Sequence, residues 1–295
     1  MSVVEAGAAD WFNVKGEESL PKTKKRLKEG TIGLIIGLVM LIAMLIAGFI
    51  LPLVSPYGSD ELVALPFLPP SPEYLFGTDQ LGRDFFTRVF AAVYLDLGVA
   101  FLGVAIPLTI GTIIGIGLGV SSNRALNGFV GSLIDGINAF PLLVLAIALI
   151  AILGPGLGTV IVALALTNWA RYARISRTKA VVVKQQAYIE AAQTLGYSKP
   201  RILFKHLVPN VSSESIAYAL SDIILVIMLV AGLSFLGLGA PPPTPEWGAM
   251  INEGRSSIEI APWLVLFPGA ALCWAGVSFS FISQGLIGRE KDIKS

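Results

Sequence analysis

The protein has 295 residues, of which 54% are hydrophobic and only 14% are charged, and its mean hydropathy is +0.75. Soluble domains average about 25% charged residues. This chain therefore has too few charges to cover a globular surface, and a lipid environment is the simpler interpretation. The net charge of +1 gives no indication of a nucleic-acid partner. A single cysteine, Cys273, and a single histidine, His206, exclude an intrachain disulfide and a multi-histidine metal centre.

Long stretches without charge predict six transmembrane helices, because a helix needs about 20 apolar residues to cross the hydrocarbon core. The longest stretch, residues 136–170, is interrupted by a Gly-Pro-Gly-Leu-Gly sequence that breaks a helix. The predicted spans are residues 32–54, 95–120, 137–153, 159–175, 212–238 and 263–286. The predicted fold class is thus all-α and integral to the membrane.

The spans divide the chain into five predicted segments. These are an N-terminal segment 1–31, a first span 32–54, an outer loop 55–94 with an interfacial helix, a five-helix core 95–286 and a tail 287–295. A second long outer loop covers residues 239–262. Both outer loops are rich in proline, which favours stiff, extended backbone. Such loops suit either the docking of a partner or a plain connection.

The basic residues predict the orientation, since lysine and arginine concentrate on the cytoplasmic side. Threading six spans through the membrane places 18 of the 21 basic residues on the side of the N-terminal segment. Only Arg83, Arg88 and Arg255 fall on the other side. We therefore expect both termini to be cytoplasmic.

The loop between the fourth and fifth spans, residues 175–210, is too polar to cross a membrane. Its apolar residues recur at helical spacing, at Ala187, Ile189, Ala191 and Leu195. Gly196 is suited to a left-handed helix cap, and Pro200 fits the first turn of a second short helix. The loop is predicted to form a helix–turn–helix projection on the cytoplasmic face. A solvated connector is the alternative.

A motif in this loop resembles the EAA loop of ABC importer permeases. The matching positions are Glu190, Ala191, Ala192, Gly196, His206 and Pro209. His206 and Val208 stand where many permeases have isoleucine and leucine. A histidine at this position resembles the sequences of the dipeptide/oligopeptide/nickel branch. The resemblance implies a type I ABC importer-like permease fold whose coupling helix sits in a cleft of an ATPase subunit.

The residue types of this motif suit a docking helix. Two alanines let a partner surface approach closely, and Gly196 allows a sharp turn. Glu190 could accept a charge-assisted hydrogen bond from an ATPase. The alternative for Glu190 is a local ion pair with Lys184 or Lys199.

A second motif precedes span two and resembles the signature of C-type subunits of the same branch. It comprises Gly77, Thr78, Asp79, Gln80, Leu81, Gly82, Arg83 and Asp84. Thr78 or Asp79 is predicted to cap the following helix, and Arg83 to pair with Asp84 or Asp79. A capped interfacial helix is favoured over direct contact with cargo.

Further matches extend the resemblance from about residue 76 to residue 286, through the blocks 231–239, 242–248, 262–263 and 267–269. The departures fall within the spans. Asp96 lies in a segment where the family commonly has Gly-Ala-Arg-Ile-Ser-Leu. Many relatives have a glutamate at the position of Val230, whereas here the acid is Asp222, about two turns earlier.

Acids at membrane depth are costly and normally face a bundle interior or a water-filled cavity. We therefore predict that Asp222, Asp96 and Asn168 line the translocation path, with Asp222 favouring cargo that carries a positive group. The alternative for Asp222 is a bond to Ser221, Asn168 or a partner permease.

The sequence contains no P-loop, so we expect this chain to be non-catalytic, to bind no cofactor or metal, and to rely on ATP and Mg²⁺ in partner subunits. The resemblance implies a prokaryotic cell membrane and four kinds of partner: the lipid bilayer, a second permease, two ATPases and an extracytoplasmic binding protein. Di- or oligopeptides are the first choice of cargo, with oligosaccharides and nickel chelates as alternatives. An ion-coupled secondary transporter is the rival class, although no internal repeat supports it. A membrane enzyme lacks a plausible catalytic cluster.

Overall fold

A computed structural model describes residues 23–294, and the side chains of residues 30–286. The described residues are helical apart from their loops, which contain two isolated antiparallel bridges. Ten α-helices follow one another along the chain: α1 (Thr23–Val54), α2 (Phe85–Val120), α3 (Arg124–Ala139), α4 (Leu142–Leu153), α5 (Leu157–Lys184), α6 (Ala187–Thr194), α7 (Lys199–Ile202), α8 (Val208–Phe235), α9 (Trp247–Gly254) and α10 (Trp263–Lys294). A π-helical segment, Leu203–Leu207, joins α7 to α8. The predictions for residues 1–22 lie outside the described residues.

Helix α2 begins ten residues earlier than the predicted span. Residues 85–94 were expected to form a separate interfacial helix, but they continue without a break into the span. The cap is Asp84, whose side chain accepts a hydrogen bond from the Thr87 backbone at 2.8 Å. The prediction that Thr78 or Asp79 caps this helix was therefore wrong.

Four of the described helices are long and apolar enough to cross a membrane: the apolar parts of α1 and α10, all of α2, and the segment that contains α8. Helices α3 and α4 meet at a bend of 96° around Pro141 and would together make a fifth span. Helix α5 falls short because Asn168, Arg171 and Arg174 lie within it. The predicted count of six therefore depends on the bent pair and on α5.

Close packing holds α5 alongside α2. A Cβ atom on Gly111, Gly115 or Gly119 would collide with Trp169, Ala173 and Ala180 of α5. By contrast, Gly117, on the same helix, has nothing within 4 Å of such an atom. Small residues at four-residue spacing allow two helices to pack this closely. This packing places α5 beside a spanning helix in spite of its polar residues.

Helix α8 completes the centre of the bundle. A Cβ atom on Gly103 of α2 would meet Val226 of α8 and Leu164 of α5. These helices share one buried apolar cluster that also includes Met44 of α1 and Leu264 of α10. Two of the long connections between these helices, residues 55–84 and 185–207, carry the C-type and EAA motifs, respectively.

Candidate functional site

The EAA loop, residues 185–207, projects beyond α5 and returns into α8. It is shorter than the predicted 175–210 because α5 continues to Lys184 and α8 already begins at Val208. The sequence placed apolar residues of the first helix, α6, at helical spacing at Ala187, Ile189, Ala191 and Leu195. Of these four residues the structure buries Ile189, together with Ala192, and leaves the other three exposed.

The motif residues of α6 therefore divide between two faces. Glu190 and Ala191 point outward, while Ala192 is 5% exposed and packs inward. The Glu190 carboxylate forms no ion pair with the described residues, so the alternative pairing with Lys184 or Lys199 is absent there. The outward face thus offers a carboxylate beside a small side chain.

Local geometry explains why the chain turns after α6. Gly196 has a φ of +77°, a left-handed conformation that favours glycine. Its backbone N–H donates to the Gln193 carbonyl at 2.9 Å, and the Tyr197 N–H donates to the Ala192 carbonyl at 3.0 Å. Pro200 lies in the first turn of α7. Both sequence predictions for this turn are confirmed.

Three large apolar or aromatic side chains of the EAA loop are exposed: Tyr188, Leu195 and Phe204. Leu195 is 73% exposed and Phe204 70%. Grouped exposed apolar side chains are characteristic of interaction sites. The loop therefore has the composition of a docking surface, with an acidic group and apolar contacts.

The end of the EAA loop is tied to α8. Asn210 donates from Nδ2 to the His206 carbonyl at 2.6 Å, and Pro209 lies in the first turn of α8. Leu207 and Val211 are buried against Ile116 of α2 and Val183 of α5. The end of the loop is thus anchored in a packed part of the bundle.

Residues 55–84, which we call the signature loop, bury most of their motif, in contrast to the EAA loop. Asp79 is 1% exposed, and its Oδ2 lies 2.5 Å from Arg83 Nε and 3.5 Å from Arg88 Nε. Its Oδ1 accepts backbone hydrogen bonds from Leu81 and Arg83 at 2.9 and 3.0 Å. Arg83 also faces Glu253 of α9 at 3.5 Å. Of the two partners predicted for Arg83, the structure selects Asp79.

Arg88 links this network to both outer segments. Its guanidinium donates to the Ser59 carbonyl and the Asp60 carboxylate at 2.8 Å each, and to the Pro243 carbonyl at 3.0 Å. The residue is 1% exposed. The role of Arg88 was not predicted from the sequence. An arginine at the start of a long apolar helix could have indicated it, because a buried charge needs partners.

The remaining signature residues shape the backbone. Thr78 is fully buried; its Oγ1 donates to the Leu65 carbonyl at 2.7 Å, and its carbonyl accepts from Trp263 Nε1 at 3.2 Å. Gly77 and Gly82 have φ values of +74° and +79°. Most of the signature residues therefore hold the loop together.

Asp222 lies inside the protomer between α5 and α8. It is 2% exposed, and its Oδ2 accepts hydrogen bonds from Asn168 Nδ2 and from the Tyr172 hydroxyl, each at 2.8 Å. Ser221 bonds instead to Ser283 at 2.7 Å. A side chain facing a path between two subunits would be exposed in a single subunit, so this burial supports the interhelical role. The sequence did not indicate Tyr172 as a partner of Asp222, because an aromatic side chain in a transmembrane helix usually serves in apolar packing.

Asp96 is also buried, at 4% exposure, where α2 meets α9. Its Oδ2 accepts a hydrogen bond from the Trp247 backbone at 3.2 Å. Glu246, fully buried, caps α9 by accepting from Gly248 and Ala249 at 3.0 and 2.7 Å. The two acids of this corner thus join α2 to the second long loop. No cluster of three or more His, Cys, Asp or Glu side chains able to hold a metal occurs among the described residues.

Comparison with known proteins agrees with this architecture. Residues 111–292 match the family described as "Binding-protein-dependent transport system inner membrane component". The dipeptide transport system permease protein DppC of Alkalihalophilus pseudofirmus is 39% identical over 74% of this chain and 71% of its own length. The glutathione transport system permease protein GsiD of Pectobacterium atrosepticum is 38% identical over 74% of this chain and 72% of its own.

A solved structure shares the fold. The crystal structure of an amino acid ABC transporter with histidines has a TM-score of 0.53 and 18% identity, covering 69% of this chain and 94% of that one. The family match spans more than half of the chain, and the relatives are permease components. The protein belongs to the family of binding-protein-dependent transport system inner membrane components, and is an ABC importer permease.

Proposed function

We propose that this chain forms half of the translocation path for di- or oligopeptides in an ATP-driven importer. The observation that carries the proposal is the outward face of the EAA loop, where Glu190 is unpaired among the described residues and Leu195 is exposed. An exposed apolar side chain and an unpaired carboxylate do not stabilise an isolated subunit. A partner that covers them adds apolar contact and a charge-assisted hydrogen bond.

The partner at this face is an ATPase subunit. The chain carries no P-loop sequence, so ATP and Mg²⁺ belong to the ATPases, two per importer. ATP-driven movement reaches this subunit through α6 and continues into α8. The EAA residues in this role are Glu190, Ala191, Ala192, Gly196, His206 and Pro209.

A second permease completes the path, and an extracytoplasmic binding protein delivers the cargo. The exposed apolar residues of α3 and α4, among them Phe129 and Ile152, offer area to lipid or to the second permease. The tightly bonded signature loop supplies a rigid platform for the binding protein. We place the protein in a prokaryotic cell membrane with both termini cytoplasmic, as the basic residues predict.

The peptide cargo rests on the relatives, which are named for dipeptides and for glutathione. Oligosaccharides and nickel chelates find no support among them. Asp222, Asn168 and Asp96 act in this proposal as interhelical bonds that shape the path. The Asp222→Asn variant is then expected to keep the cargo preference of the parent. Cargo preference is measured as the uptake of a labelled dipeptide in competition with glutathione.

Reconstitution tests the whole proposal. The chain is expressed with its second permease, ATPases and binding protein, and uptake of a labelled dipeptide is measured in proteoliposomes. We expect uptake only with internal ATP, and a loss of about tenfold for Glu190→Arg combined with Ala191→Leu. Uptake that follows an imposed proton or sodium gradient without ATPases would contradict the proposal.

A further inference from the structure

The single histidine of the chain lies between two tyrosine rings of the EAA loop. The centroid of the His206 ring is 6.3 Å from that of Tyr188 in α6, with an interplanar angle of 50°. It is also 6.3 Å from the ring of Tyr197 in the turn, with an angle of 25°. Both distances fall within the range of interacting aromatic pairs. The imidazole thus contacts both sides of the turn that Gly196 makes.

A cation extends this group. The guanidinium carbon of Arg201, in α7, lies 4.3 Å from the centroid of the Tyr197 ring, a cation–π contact. We call Tyr188, Tyr197, Arg201 and His206 the His206 cluster. Its members come from α6, the turn, α7 and the π-helical segment, so the cluster joins every part of the EAA loop.

Hydrogen bonding does not account for the histidine. Its Nε2 is buried and has no hydrogen-bond partner among the described residues. An unpartnered buried nitrogen costs free energy relative to an apolar group of the same shape. Ring packing is therefore the contact through which the side chain acts, and a phenyl ring should replace it.

The cluster sits directly before the packed start of α8. The His206 carbonyl accepts the 2.6 Å hydrogen bond from Asn210, and Leu207 is 2% exposed. The His206 residue itself belongs to a π-helical turn, a geometry found frequently at functional sites. A force on α6 thus has a short route of packed groups into α8.

We propose that His206 is a positioning residue for energy coupling. Its ring holds α6 at a set angle to α8, so that displacement of α6 by the ATPase moves α8 instead of bending the Gly196 turn. This inference rests on the proposed function and adds to it the physical contact through which His206 acts. The contact is aromatic packing, and the hydrogen-bonding capacity of the imidazole is not used.

Three substitutions at His206 separate the alternatives in the reconstituted importer. His206→Phe keeps a ring, His206→Asn keeps a hydrogen-bonding side chain without a ring, and His206→Ala keeps neither. The readout is the number of labelled dipeptides imported per ATP hydrolysed. We expect the phenylalanine variant to stay within about twofold of the parent, and the other two to fall by about fivefold or more.

A second position guards against effects of misfolding. Tyr188→Leu removes a ring of the cluster, whereas Tyr188→Phe removes only a hydroxyl and serves as its matched control. The leucine variant should lower the transport-to-hydrolysis ratio as His206→Ala does, and the phenylalanine variant should not. The ratio is measured on preparations that contain the same amount of co-purified ATPase for every variant, so that a change in docking does not enter it.

Each other outcome overturns the inference. Parental coupling in His206→Asn with loss in His206→Phe would assign the residue to hydrogen bonding, and parental ratios in every variant would remove it from coupling. Failure of the parent chain to co-purify with the ATPases would instead reject the proposed function. The two failures are thus distinguishable in one set of preparations.

Discussion

The signature loop and the EAA loop both carry a family motif rich in charged and small residues, but they use it in opposite ways. Asp79 and Arg83 of the signature loop, with Arg88 in the first turn of α2, are almost wholly buried and are bonded to one another or to backbone carbonyls. In the EAA loop, Glu190 and Ala191 face outward. A motif can therefore mark either an internal framework or a surface for a partner, and burial distinguishes the two.

The physical cause of the difference is the surroundings of each loop. The signature loop is covered by α9 and the start of α10, through Glu253 and Trp263. Charges without access to water must find partners inside the chain. The EAA loop projects from the bundle and rests on the ends of α2, α5 and α8. Four predictions test this contrast, from the largest effect to the smallest.

The largest effect is expected at the centre of the signature network. Replacing Arg88→Ala leaves Asp79 with one charged partner fewer and removes three further hydrogen bonds. Breaking a buried ion pair on one side costs about 3–5 kcal/mol. Thermal unfolding in detergent should show it. The control is Arg174→Ala, whose pair with Asp135 is exposed and should be worth less than about 1 kcal/mol.

Two glycines with the same conformation provide the next test. Gly82 and Gly196 have φ values of +79° and +77°. A Cβ atom on Gly82 would collide with the Ala64 carbonyl, whereas Gly196 has open space within 4 Å. Replacing Gly196→Ala should cost about 1–2 kcal/mol from backbone strain alone. Gly82→Ala should cost about 1–3 kcal/mol more. Equal losses would refute the contrast between the loops.

The helices that connect the loops allow a similar comparison. On α2, a Cβ atom at Gly115 would meet Ala173 and Ser176 of α5, and at Gly117 would meet nothing. Gly115→Ala should destabilise by about 1–3 kcal/mol, while Gly117→Ala should be neutral or gain up to about 1 kcal/mol from helix propensity. Denaturation followed by circular dichroism measures both. A loss at Gly117 would show that α2 has a further packing face.

The smallest effect on stability is expected at the outward face of α6. Glu190→Ala removes a carboxylate that has no ion pair in the described structure, so unfolding should change by less than about 0.5 kcal/mol. The same variant should reduce co-purification of the ATPase several-fold. A stability loss comparable to that of Arg88→Ala would show that the EAA loop is an internal framework after all.

Several elements were predictable because their physical signals are local. Gly196 as a left-handed cap, Pro200 at a first turn and the close packing at Gly111 and Gly115 each follow from the steric properties of one residue type. The start of α2 was misplaced because ten amphipathic residues, 85–94, look like a separate surface helix. They are instead covered by the outer segments.

Long-range partners were predictable only in part: Asn168 was one of three alternatives for Asp222, whereas Tyr172 and the partner of Asp96 were not predicted. Asp222 bonds to Asn168 and Tyr172, which lie 54 and 50 residues away in sequence. The bond between Trp247 and Asp96 joins residues 151 apart. No pattern within one helix specifies which acid meets which donor. Only the packing of α5 and α9 against their neighbours does.

The sequence by itself determined the class of protein, the number of apolar stretches and the existence of the projecting EAA loop. Hydropathy, helix-breaking residues and motif spacing are properties of short segments, so they can be recognised in the sequence alone. The tertiary structure decided which motif is buried and which faces outward, because burial depends on what other segments cover. It is this distinction that separates the framework built on Asp79 and Arg88 from the docking face of α6.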